Sequence, residues 1–152
     1  MKILVDGDSC PVLDIIENFC QDNDITLQVY FDLNHDITLN YGEAIRVDQG
    51  QDNVDLILLE ETEPGDLIVT QDYGLASLAL GKGAYAINED GLIYTEENID
   101  ALLAQRHIQA QKRRAKSGPR QALTRQRQQE RTWRDDIDFH HALTRMVRKI
   151  QN

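Results

Sequence analysis

The chain has 152 residues, 26 acids against 16 bases, and a formal charge of −10. That length suits one domain with a real core, and the ordinary apolar content excludes a wholly disordered chain. No apolar run nears the roughly 20 residues that cross a bilayer, and the N-terminus lacks a signal-peptide pattern, so a cytoplasmic protein with no membrane partner is expected.

The net charge hides a split. Residues 1–100 carry 22 acids and three bases, a net of −19, and residues 101–152 carry 13 bases and four acids, a net of +9. An acidic body with a basic appendage is the expected organisation. Cys10 and Cys20 form no disulfide framework. On one helix their Cα atoms would lie roughly 15 Å apart, beyond the ~7 Å that a bridge tolerates, so both are read as free thiols.

Lys2–Val5 reads as a short buried strand ending in Asp6-Gly7-Asp8. Helix one is expected over 11–22, with Val12, Ile15, Ile16 and Phe19 on one face. Ile25–Phe31 is rich in β-branched and aromatic residues and predicts a strand. Residues 32–42 read as a loop, and Ala44–Val47 as a short strand. Asp52–Thr62 is assigned as a helix, with Asp52 at the N-cap and Asp55 three positions on. Leu67–Thr70 is a second buried strand, and it too leads into an acid, Asp72. A small-residue helix over 74–82 turns Leu75, Leu78 and Ala79 inward. Ala84–Ile87 and Leu92–Thr95 form a hairpin around Asn88-Glu89-Asp90-Gly91. Thr95 caps a helix running to about Lys116, with Ile99, Leu102 and Leu103 inward. Ser117-Gly118-Pro119 breaks it. A last amphipathic helix carries Trp133, Ile137, Leu143, Met146, Val147 and Ile150. Alternating strands and helices predict an α/β fold around a mainly parallel sheet, with additional C-terminal helices.

In such a sheet the strand ends share one edge, so Asp6, Asp8 and Asp72 are expected to converge, joined by Asp52 and Asp55 from the intervening helix. Clustered carboxylates suit Mg²⁺ or Mn²⁺, which would activate water on a phosphodiester. The plainer alternative is capping: Asp8 or Cys10 for helix one, the Asp52 and Asp55 pair for its own helix, and Asp72 for the helix after it. Cys10 at a helix start would have a lowered thiol pKa, but no histidine is near it, and a small residue packed under the turn is the favoured reading. His35, His107, His140 and His141 have no metal-ligand spacing. Arg106 to Arg134 holds ten bases and one acid. It is either a solvated face complementing the acidic body or a surface for RNA phosphates, with Arg106, Lys112, Arg113, Arg114, Lys116, Arg120, Arg125 and Arg127 as the contacts. Aromatic interleaving is poor, so base stacking is not indicated.

VDGDSCP (5–11), GQDNVD (50–55), PGDLIVTQDYGLA (64–76), KGAYAIN (82–88), YTEENI (94–99) and Arg106 together resemble the bacterial YaiI/YqxD family, an uncharacterised group with a PIN-like domain. Gly7 stands where the family's opening motif has alanine, which reads as a mild change. The resemblance implies a PIN-like three-layer fold, taken as a domain over 1–116 and a basic helical extension over 117–152 packed on or near it. By analogy with PIN nucleases it implies an Mg²⁺ or Mn²⁺ site for RNA cleavage. Asp6, Asp8 and Asp72 would be catalytic, and Asp52 and Asp55 would join them around the metal.

Two rivals stand beside the nuclease. An aspartyl-nucleophile phosphatase would use Asp6, with Thr70, Lys82 and Asp90 in support. A binding module without turnover would keep the acids as a structural ion site and grip RNA or a protein through its bases.

Overall fold

The computed structural model describes residues 1–8, 10–32, 36–48, 50–115 and 130–152, with the side chains of 50–53 and 113–115 outside the description. Six strands form one sheet: β1 (Lys2–Asp6), β2 (Thr26–Asp32), β3 (Glu43–Val47), β4 (Leu67–Val69), β5 (Tyr85–Ile87) and β6 (Ile93–Tyr94). Their order is β3-β2-β1-β4-β5-β6. Strands β1 to β5 pair in parallel, and β6 closes the edge antiparallel to β5 through Ala86–Tyr94 and Ile87–Ile93.

Five helices are described: α1 (Leu13–Asp22), α2 (Gly50–Glu61), α3 (Tyr73–Gly81), α4 (Glu96–Ala115) and α5 (Trp133–Gln151). Side chains alternate across a strand, and this explains the unbroken apolar runs. Ile3, Val5, Leu27, Val29, Leu67 and Val69 enter one layer with Ile16, Phe19, Phe139, Leu143 and Val147 from α1 and α5. Leu4, Tyr30 and Ile68 enter the other, against Val54 and Leu58 of α2 and Leu75 and Ala79 of α3. Ala76, Ala86, Tyr94 and Ile99 make a third cluster between α3, α4 and the hairpin edge. Ile3, Leu4 and Val5 are fully buried because both faces of β1 are covered.

Several boundaries and faces differ from expectation. Pro11 lies in a turn ahead of α1, whose N-cap is Val12 with no side-chain hydrogen bond. α2 begins at Gly50, so Asp52 sits in the first turn and is not the cap. Leu78 is 58% exposed on α3, because Leu75, Ala76 and Ala79 already fill the inward face. On α5, Trp133 and Ile137 face solvent, and the inward positions are Phe139, Ala142, Leu143, Met146 and Val147. The Ser117-Gly118-Pro119 break lies outside the described residues.

Gly7 and Gly91 are fixed by close approach. A Cβ on Gly7 would stand 2.7 Å from Val29 Cγ1 and 2.9 Å from the Tyr30 carbonyl. Alanine there is therefore not a mild change in this chain. Gly91 takes φ +89 in the β5–β6 turn, and a Cβ on it would meet the Asp138 carbonyl of α5 at 3.0 Å.

Candidate functional site at the strand ends

Parallel pairing of β1 with β2 and β4 brings the ends of three strands to one edge. Gly7 donates its N–H to the Tyr30 carbonyl at 2.8 Å, extending β1 past Asp6. Asp32, at the end of β2, donates its N–H to Asp8 Oδ1 at 3.4 Å. On the other side the Thr70 hydroxyl, just beyond β4, donates to Asp6 Oδ2 at 3.3 Å. The same hydroxyl oxygen accepts the Asp72 N–H at 3.0 Å. Thr70 thus ties the two acid-bearing loops together, and its carbonyl accepts from the Tyr94 hydroxyl at 3.2 Å.

Asp6 is the electrostatic centre. Burial first, and then the charge of Asp8, push its carboxyl up to about 6; hydrogen bonds from Thr70 and the Asp8 backbone pull the other way, and Asp72 adds to the rise. Asp66, at the opposite end of β4, pairs with Lys2 at 3.0 Å and also accepts the Glu63 N–H at 2.8 Å.

Asp72 has two roles at once. Its Oδ1 accepts from the N–H groups of Gly74 (2.8 Å) and Leu75 (3.3 Å), so it is the N-cap of α3. The exposed Arg106 guanidinium lies 3.6 Å from the same oxygen. Asp55 is partly buried on α2, and the side chain of Asp52 lies outside the description. Among the described residues, no three His, Cys, Asp or Glu side chains are grouped closely enough to hold a metal ion by themselves.

Two residues were not singled out from the sequence. Glu89, 6% exposed in the β5–β6 turn, is pushed up to about 7 by burial; Gln71 and Arg131 oppose this, while Asp90 and Asp6 add to it. Arg131 donates from Nη2 to the Glu89 carbonyl at 2.7 Å, from Nη1 to Asp90 Oδ1 at 3.1 Å, and from Nε to Asp136 Oδ1 at 2.7 Å. A clue lay in the turn itself, where Glu89, after Asn88, stands just beyond a buried strand.

Cys10 is partly buried, and desolvation pushes its thiol up to about 12 despite a hydrogen bond with the Val12 backbone. The expected lowering at a helix start is absent, which leaves Cys10 a packed thiol. Cys10 joins Gly7, Pro11, Leu13, Asp36, Ile37 and Glu89 around an open cleft of about 490 Å³ beside the acidic edge.

The phosphatase reading loses its cation. Lys82 caps the far end of α3 from Asp72, and its Nζ donates to the Leu59 carbonyl. Of the basic residues, Arg106 and Lys112 lie exposed on α4. Arg113 and Arg114 continue that helix with side chains outside the description, and Lys116, Arg120, Arg125 and Arg127 lie outside the described residues.

Comparison with known proteins adds a family. The model of the "Uncharacterized BCR, YaiI/YqxD family" matches residues 4–149. A "UPF0178 protein" of Natranaerobius thermophilus is 44% identical over 152 residues, covering 100% of this chain and 99% of that one. Another, from Lachnoclostridium phytofermentans, is 40% identical over the full length of both chains, 152 residues of this one. Among solved structures, Rae1 (YacP) from Bacillus subtilis, as its W164L mutant, is similar at a TM-score of 0.44 and 18% identity, covering 58% of this chain and 70% of that one.

Proposed function

We propose that this chain, which belongs to the YaiI/YqxD family, is a divalent-metal-dependent ribonuclease with a PIN-like arrangement of its acids. The observation that carries the reading is the Thr70 hydroxyl, which bonds Asp6 Oδ2 at 3.3 Å and the Asp72 N–H at 3.0 Å and so draws together the acids at the ends of adjacent parallel strands. Carboxylates held this close favour either a shared proton or a cation.

The donor set fits Mg²⁺ or Mn²⁺ in one particular mode. Since among the described residues no three His, Cys, Asp or Glu side chains group closely enough to hold an ion, these residues would supply one or two carboxylates, with waters and phosphate oxygens filling the rest, as Mg²⁺ commonly accepts. Asp6 and Asp8 would be the primary holders. Asp72 would act from within its cap, and Asp52 and Asp55 through water. When bound, the metal would acidify a water and neutralise charge on the phosphate.

The chain's own residues do the remaining work. Thr70 fixes the Asp6 carboxyl by hydrogen bond. Holding the metal would keep the Asp6 carboxylate ionised, and from there it would orient the attacking water. Arg106, beside Asp72, meets the scissile strand, and Lys112 with the bases that follow grips flanking phosphates.

The test is cleavage of an end-labelled single-stranded RNA with Mn²⁺ and with EDTA. Wild type should cut only with Mn²⁺, and Asp6→Asn should be slower by about a hundredfold or more. Binding without metal-dependent products would overturn the reading in favour of a non-catalytic module.

A further inference from the structure

The cleft beside the acidic edge has a shape and chemistry that phosphodiester hydrolysis does not use. Its volume of about 490 Å³ lies within the range of small-ligand sites. One wall is Gly7, the residue between Asp6 and Asp8 in sequence. Pro11, Leu13, Ile37 and Cys10 give it apolar sides. Asp36 lies at the rim, its side chain 89% exposed and paired with Arg46 at 3.3 Å. Glu89, a residue 6% exposed, is the second acid of the lining. Gln71 hydrogen-bonds its carboxyl, and Arg131, Asp90 and Asp6 act on it electrostatically.

Among the described residues the lining holds two acids, Asp36 and Glu89, and no base, which disfavours a phosphate. The walls favour a neutral, flat ligand with N–H donors on one edge. We infer that the cleft is a nucleobase subsite in which Pro11, Leu13 and Ile37 flank the ring and Glu89 accepts from an exocyclic amino group. The inference rests on the ribonuclease reading and deepens it: the strand is cut next to a base that carries an amino group. Adenine, cytosine and guanine offer that group, and uracil does not. A carboxyl facing a base amino group is a known discriminating pair.

The experiment separates this subsite from catalysis by using nucleosides, which have no phosphate, and EDTA, which removes metal. Adenosine, cytidine, guanosine and uridine are titrated into the full ¹⁵N-labelled chain. The amides of Gly7, Leu13, Ile37 and Glu89 should shift with the three amino-bearing nucleosides, and uridine should bind about tenfold more weakly. Glu89→Gln should cut the preference and raise uridine binding, because the amide of glutamine can donate to a uracil carbonyl. That gain cannot come from misfolding. No shift at these amides with any nucleoside overturns the inference, as does uridine binding equal to the others, or an unchanged preference in Glu89→Gln. If RNA cleavage persists while nucleosides leave the cleft untouched, the subsite falls and the nuclease stands. If nucleosides bind as described and no RNA is cut, the subsite stands and the nuclease falls.

Discussion

Asp6 links the chemistry of the edge to the stability of the fold. Its carboxyl titrates at about 6 instead of 3.8, so between those values the folded chain binds the proton that the unfolded chain has lost. Its contribution is therefore unfavourable at neutral pH and vanishes below about pH 4. Asp6→Asn should stabilise the metal-free chain at pH 7 by on the order of 2 kcal/mol, with the gain fading as pH falls through 6 to 4. Urea unfolding at a series of pH values reads this, and a gain independent of pH would contradict it. At Gly7 the direction is opposite. Its missing Cβ lets β1 pass Val29 and the Tyr30 carbonyl, so Gly7→Ala should cost about 1–3 kcal/mol, seen as a lower urea midpoint with unchanged slope. Asp6, Asp8 and Asp72 were legible because each follows an apolar run. Glu89 and Arg131 were not. Arg131 contacts Asp90 and Glu89 from 41 and 42 residues away, and pattern along the chain carries no sign of such pairing.

Among the elements, α3 shows capping and chemistry in one residue. The capping alternative for Asp72 is correct as geometry, and it does not exclude a role at the edge. Asp72→Ala should cost about 1 kcal/mol through the lost cap, while Asp72→Asn should keep most of that stability because its side-chain oxygen still accepts. Thermal unfolding of the two variants separates cap from charge. Strand periods and turn residues located the sheet well: β2, β4, β5 and β6 fall where β-branched runs and Gly or Asn turns put them. The inward faces of α3 and α5 were harder. Apolar spacing marks a stripe, but only tertiary packing decides that Leu78, Trp133 and Ile137 lie at its edge. The start of α5 is held by Arg131. Arg131→Ala should speed amide exchange in the first turns of α5 and in the 88–91 turn, with α1 unaffected.

For the whole molecule, two packed layers around a mainly parallel sheet leave one edge rich in carboxylates and one helix, α4, leading into the basic stretch. On the proposed reading, a chain of net charge −10 would engage RNA with a metal covering the acids and the bases meeting the phosphates. RNA affinity should fall with salt, and Arg106→Gln with Lys112→Gln should reduce the log–log slope by about 1.4. α5 supplies Phe139 and Leu143 to the same core as β1 and α1, a long-range partnership that local periodicity could not specify. On the proposed reading the strand-end carboxylates take up a divalent cation. Mn²⁺ titration of the ¹⁵N-labelled chain tests it most directly, by paramagnetic broadening. Millimolar Mn²⁺ should broaden the amides of Asp6 to Asp8 and Thr70 to Asp72 first, and Asp6→Asn should remove the effect. Broadening elsewhere only, or none at those amides, would contradict it.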